Sequence, residues 1–164
     1  MIANLLISAG FDVQREYYIN DGGGQAEKLT KSAHLRYLEA LGNNIGEIPE
    51  GLYPGEYLKD VGQALVQEFG TKFQNEPQEV WFDPIMQFSI DFLMDEIKKT
   101  LEKYGITNMV YRSETALVKD GSVDKAIQTL RQKGLIYTGI LEAPKGVKID
   151  EWESKPQLIF KSSE

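Results

Sequence analysis

The sequence predicts an α/β fold, with parallel strands, a run of helices inserted between them, and an antiparallel strand pair at the C-terminal end. Three observations predict it. An aromatic and β-branched run over residues 12–19 stops at Asn20-Asp21-Gly22-Gly23-Gly24 and gives way at once to a helical pattern. From 43 to 105 a turn-rich loop leads into apolar residues that recur at helical spacing. Beyond 106 come a strand, a helix and two more β-rich runs. The chain therefore divides into a strand-turn-helix part (1–42), a helical insertion (43–105) and a strand, helix and strand pair (106–164).

Each element has its own signal. Ile2, Leu5 and Leu6 make the apolar patch of a short helix that Gly10 closes. Val13, Tyr17 and Ile19 alternate along the first strand. Ala26, Leu29, Ala33, Tyr37 and Leu41 form a stripe that ends at Gly42. Leu58, Val61, Leu65 and Phe69 form a second stripe, closed by Gly70. A third helix is expected to follow Pro84, with Ile85, Phe88, Phe92, Leu93, Ile97 and Leu101 on a broad apolar face. A strand is expected at 107–112, and a helix from Ser122 as N-cap to Gly134 as stop. Leu135–Leu141 and Gln157–Lys161 read as an antiparallel pair joined by a polar loop with Pro144, Gly146 and Trp152.

Composition narrows the chemistry. The 164 residues suffice for a core, and 41% hydrophobic with 26% charged residues is ordinary for a globular chain. There is no cysteine, hence no disulfide framework, thiolate nucleophile or cysteine-bound zinc. The lone His34 argues against a Ser-His-Asp triad and a histidine-rich metal site; packing is its expected role. No apolar run is long enough to span a bilayer, and the first residues lack the basic flank of a signal peptide, so a cytoplasmic protein is expected. The net charge of −7 argues against autonomous nucleic-acid binding. Glu56, Asp60, Asp91, Asp95, Glu96, Asp150, Glu151 and Glu153 read as solvated surface rather than as an acid/base pair or Mg²⁺ site, with Glu96 facing Lys99 as ordinary helix-surface pairing. No metal site is expected.

The glycine turn is the most informative stretch. Glycine permits positive φ and close approach, and exposed N–H groups at the following helix end suit an anion. Yet the phosphate fingerprints fail. Glu27 stands where the third glycine of G-x-G-x-x-G would be, and no Gly-Lys-Ser/Thr follows. A plain connection and a ligand crevice at the carboxyl end of a strand both remain open.

The string Phe11-Asp12-Val13, then Arg15-Glu16-Tyr17-Tyr18-Ile19-Asn20-Asp21-Gly22-Gly23-Gly24-Gln25, resembles a segment of arginyl-tRNA synthetases, usually Y-x-V-x-R-E-Y-Y-I-N-D-A-G-N-Q. It departs at Gly22 and Gly24. Ile48-Pro49-Glu50-Gly51-Leu52-Tyr53-Pro54-Gly55-Glu56-Tyr57-Leu58 is similar to bacterial members. Val110-Tyr111-Arg112-Ser113-Glu114 is similar to the family's V-x-x-S-E, and 121–137 to its G-K-V-D…L-x-x-K-G-L-I-Y run. Leu141–Gly146, Asp150–Glu153 and Phe160–Ser163 match further blocks in order.

The resemblance implies a central fragment of a Rossmann-like class I synthetase catalytic fold. The implied reaction joins arginine to ATP with Mg²⁺, then passes the aminoacyl group to tRNA(Arg). The family's HIGH and KMSKS signatures do not occur in this chain, so no catalytic residue is expected in it and the chain alone is expected to be inactive, with no ATP or Mg²⁺ bound. Asn20, Asp21, Gly23 and Gln25 are the candidates for lining or bracing the substrate crevice. The alternative is a freestanding, non-catalytic interaction or anion-binding module derived from a synthetase. A truncated domain would expose apolar surface, which leads one to expect self-association.

Overall fold

The computed structural model describes residues 2–141 and 155–161. Most of the expected polar loop, with Asp150, Glu151 and Glu153, lies outside the described residues. The fold is mixed α/β, with a parallel two-stranded sheet and an antiparallel pair. It divides into two compact units, one ending at Thr115 and the other starting at Ala116.

The first unit opens with α1 (Ile2–Ser8), whose end is closed by Gly10 N–H to Ile7 O and Phe11 N–H to Leu6 O. Strand β1 (Arg15–Ile19) follows, then α2 (Gly23–Ala40), α3 (Tyr57–Phe69), α4 (Gln78–Lys103) and β2 (Met109–Ser113). β1 and β2 run parallel in the register Arg15↔Met109 through Ile19↔Ser113. The whole helical insertion is thus the crossover between two adjacent parallel strands, as the alternation of patterns in the sequence requires. Tyr17 and Tyr111 pair on one face of the sheet, ring centroids 5.8 Å apart. On that face the Lys98 ammonium stands 5.3 Å from the Tyr111 ring centre.

The core lies among the three long helices. Ala33 and Tyr37 of α2, Leu58, Val61 and Leu65 of α3, Phe73 between helices, and Trp81 and Ile85 of α4 are buried together. Each large side chain fully buried there contributes about 1.5–3 kcal/mol. Several polar groups inside this core are paired, although Ser89 Oγ and Arg36 Nε are buried with no hydrogen-bond partner among the described residues. The Tyr37 hydroxyl donates to Gly70 O at 2.7 Å and accepts the Phe73 N–H at 3.2 Å. Ser32 Oγ accepts the Tyr53 N–H at 2.9 Å, tying the 43–56 loop to α2. Arg36, 7% exposed, reaches Glu39 at 2.7 Å and Pro54 O at 2.9 Å.

Several boundaries differ from the sequence reading: β1 starts only at Arg15, leaving Val13 outside it, β2 runs from Met109 to Ser113, and two helix starts are shifted. Helix α4 begins at Gln78, so Pro84 lies inside it. Trp81 explains this: it is 7% exposed and stacks on His34 with centroids 3.7 Å apart. Burying about 150–250 Å² of indole at about 25 cal/mol per Å² outweighs the roughly 3 kcal/mol that proline costs within a helix.

The second shifted helix start is at residue 122. Helix α6 (Ser122–Gln132) has Gly121 as its cap, and Ser122 is the first helical residue, its N–H taken by Asp120 Oδ1 at 2.8 Å. A short helix absent from the sequence reading, α5 (Glu114–Lys119), leads out of β2.

In the second unit β3 (Ile136–Gly139) and β4 (Gln157–Phe160) pair antiparallel, Ile136 opposite Phe160, as expected. They form a sheet separate from β1 and β2. None of the described residues of this unit is buried, and Val123, Tyr137, Leu158 and Phe160 are all exposed.

Candidate functional site

The parallel register brings the carboxyl ends of β1 and β2 level, so the turns that follow them lie side by side. In parallel sheets this edge is where ligand crevices form. The first turn is Asn20-Asp21-Gly22 and the second is Ser113-Glu114-Thr115.

Asp21 joins them. Its Oδ2 accepts from Ser113 Oγ at 2.5 Å and its Oδ1 from the Thr115 N–H at 2.9 Å. Thr115 Oγ1 donates to the Asp21 carbonyl at 3.2 Å. Partial burial pushes the Asp21 carboxyl up, but the hydrogen bonds from Ser113 and Thr115 outweigh it and hold the pKa below the ordinary value. The carboxylate also caps the first turn of α5 from another part of the chain, taking an N–H that the short helix leaves unpaired.

The other sequence candidates serve the turn itself. Asn20 Nδ2 donates to Gln25 Oε1 at 2.9 Å, bridging the turn to the first turn of α2. Gly23 has φ +67°, a conformation that costs a side-chain-bearing residue about 1–2 kcal/mol. Gly22 is extended and lies against the second turn: a methyl group there would stand 3.0 Å from Thr115 Oγ1. Helix α2 has no side-chain cap at this end. The four candidates are therefore not one cluster. Asn20 and Gln25 meet, Asp21 reaches across to β2, and Gly23 shapes the backbone.

Sequence reasoning passed over the groups that complete the edge. Glu114, between the two residues that Asp21 holds, faces Tyr18. Partial desolvation first, then the negative charge of Glu114 and a hydrogen bond to it, and last the charge of Asp21, raise the pKa of the exposed Tyr18 hydroxyl. The only sequence signal for Ser113 and Glu114 was their place in a V-x-x-S-E string. Beside β1 a cavity of about 220 Å³ opens, lined by Tyr17, Tyr18 and Asn20 with Leu29 of α2 and Leu93 and Ile97 of α4. Among the described residues no cluster of three or more His, Cys, Asp or Glu could hold a metal ion. His34 is far from any such role: its ring stacks on Trp81 and Tyr37.

Known proteins place this edge in context. The chain is 50% identical over 163 residues to the arginine–tRNA ligase of Ruegeria sp., covering 99% of this chain and 28% of that protein. It is 48% identical over 166 residues to that of Beijerinckia indica and 47% identical over 163 residues to that of Roseobacter denitrificans. Its relatives are arginine–tRNA ligases. The chain spans 28% of the length of each of these ligases, matching a segment of them from end to end. No protein-family model matches it, and no solved structure matches it. Both turns of the edge fall within the stretch matched to the ligases. Among the described residues, no helix is long and apolar enough to cross a membrane.

Proposed function

We propose that the chain is the central piece of an arginine–tRNA ligase catalytic domain and forms one wall of its substrate crevice. The observation that carries this reading is the 50% identity to an arginine–tRNA ligase over 99% of this chain, a stretch that makes up 28% of that ligase. The geometry supports it, because the Asp21-linked turns stand at the edge of a parallel pair where α/β enzymes of Rossmann-like type hold their ligands.

In the whole enzyme the arginine carboxylate attacks the α-phosphate of ATP, releasing pyrophosphate. The terminal adenosine hydroxyl of tRNA(Arg) then attacks the activated carbonyl and releases AMP. Such a reaction depends on alignment and on stabilising charge at phosphate. This chain supplies alignment. Glu114 adds a negative charge suited to a cationic substrate, and no group in the Asn20–Gln25 turn is a cation that would bind phosphate. Holding ATP and Mg²⁺ falls to other segments of the ligase, and a chain with a net charge of −7 leaves most tRNA contacts to them as well. The cytoplasm, where translation runs, is the expected location.

The test is a graft. The matching segment of the Ruegeria ligase is replaced by this chain, and arginine-dependent ATP–pyrophosphate exchange is measured. Retained exchange is expected. A soluble, folded graft without exchange would overturn the reading.

A further inference from the structure

We propose that Asp21 is a positioning residue whose task is to hold the Glu114 carboxylate in place against Tyr18 at the carboxyl edge of the parallel pair. The inference rests on the ligase reading for its catalytic consequence, but its geometric core stands on this chain alone.

Glu114 is the first residue of a six-residue helix and would turn freely with it if nothing fixed the strand end. Asp21 fixes it from both sides. Its two carboxylate oxygens take Ser113 Oγ and the Thr115 N–H, and its own carbonyl takes Thr115 Oγ1. Glu114 lies between these anchors, so its backbone cannot rotate without breaking a charge-assisted hydrogen bond. Tyr18 comes from β1, one residue before Ile19, whose register partner is Ser113. The strand that leads into Asp21 therefore also supplies the group that faces Glu114. Two carboxylates at one edge normally repel. Here each Asp21 carboxylate oxygen accepts a donor from the second turn, which leaves Glu114 as the carboxylate that hydrogen-bonds Tyr18, a residue that lines the cavity beside β1.

Two measurements test this. In the chain itself, ring-labelled tyrosine NMR follows the Tyr18 titration, assigned with Tyr18→Phe. Glu114→Gln sets the full effect of the Glu114 charge. Asp21→Ala and Asp21→Asn both remove the Asp21 charge, which itself raises the Tyr18 midpoint, so the quantity read is the shift that Glu114→Gln causes in each background. That shift is expected to shrink in Asp21→Ala and to survive in Asp21→Asn, which can still accept from the Thr115 N–H. A Glu114→Gln shift of equal size in the parent chain and in Asp21→Ala would overturn the proposal.

In the graft with the Ruegeria ligase, Asp21→Ala is expected to raise KM for arginine about tenfold, the size of one hydrogen bond to a charged group. KM for ATP should stay within about twofold, with Asn giving partial rescue. Equal losses for both substrates would mean a merely structural role. An inactive parent graft would count against the ligase reading and leave the Tyr18 titration to decide the role of Asp21.

Discussion

Gly62 of α3 packs onto the backbone of Arg36 in α2 so closely that a methyl group at residue 62 would lie 2.5 Å from the Arg36 carbonyl carbon and oxygen. The obstacle is backbone, which cannot swing aside as a side chain could. Gly62→Ala must therefore part the two helices or bend one of them. Overpacking of this kind costs about 1–3 kcal/mol, and the rigid neighbour puts it toward the upper end. Urea denaturation should show a midpoint lowered accordingly; an unchanged midpoint would mean that the crossing is looser than described.

The adjacent glycines of the first turn should respond in opposite ways. Gly23, at φ +67°, loses about 1–2 kcal/mol on replacement by Ala. Gly24 has ordinary φ and open space around it, so Gly24→Ala should stabilise α2 by about 0.5–1 kcal/mol. Thermal melts of the two variants give the comparison. Similar shifts of one sign would contradict the turn geometry.

His34 makes stability depend on pH. Burial among Trp81 and Tyr37 lowers its pKa, and the Phe73 carbonyl 3.4 Å away only partly offsets this. The depressed value means that the unfolded chain protonates first. Stability is complete above the ordinary histidine value of 6.5 and falls as the pH drops below it toward the folded value. His34→Phe keeps an aromatic ring in the stack and removes the proton. Melting temperatures at pH 7.5 and 5.5 should differ more in the parent chain than in this variant. Equal differences would exclude His34 as the source.

Calorimetry of the chain with ATP–Mg²⁺ and with arginine, separately and together, should detect no saturable binding, and the chain alone should support no arginine-dependent pyrophosphate exchange. Both outcomes follow from a sequence that lacks the two signature motifs. Saturable ATP binding would instead favour an independent anion-binding module built on the uncapped end of α2.

Much of the fold was legible because its signals are periodic. The stripe from Leu58 to Phe69 and the alternation through Tyr17 and Ile19 reflect which face is buried, and burial leaves a regular trace in sequence. The start of α4 was not legible. Pro84 is a local penalty, whereas the Trp81–His34 stack that overrides it joins residues of different helices.

The edge of the parallel pair was half legible. Asp21 and Asn20 stood out as turn residues, but the partners of Asp21 lie more than ninety positions away, 94 in the case of Thr115. One of those partners is a backbone N–H, which every residue except proline possesses and no motif can mark.

That separation also shapes how the chain reaches its fold. Strands joined through so long a connection must close a large loop before any ladder bond rewards them, which makes parallel pairing intrinsically slow. The intervening helices shorten the search. Their core around Tyr37, Leu65 and Phe73 uses nearer partners, and once assembled it carries the two strand ends as a compact body. The helical insertion then serves as a folding clamp for the strands that flank it. Damage deep within it, as at Gly62, should slow formation of the distant carboxyl edge although no atom there has changed.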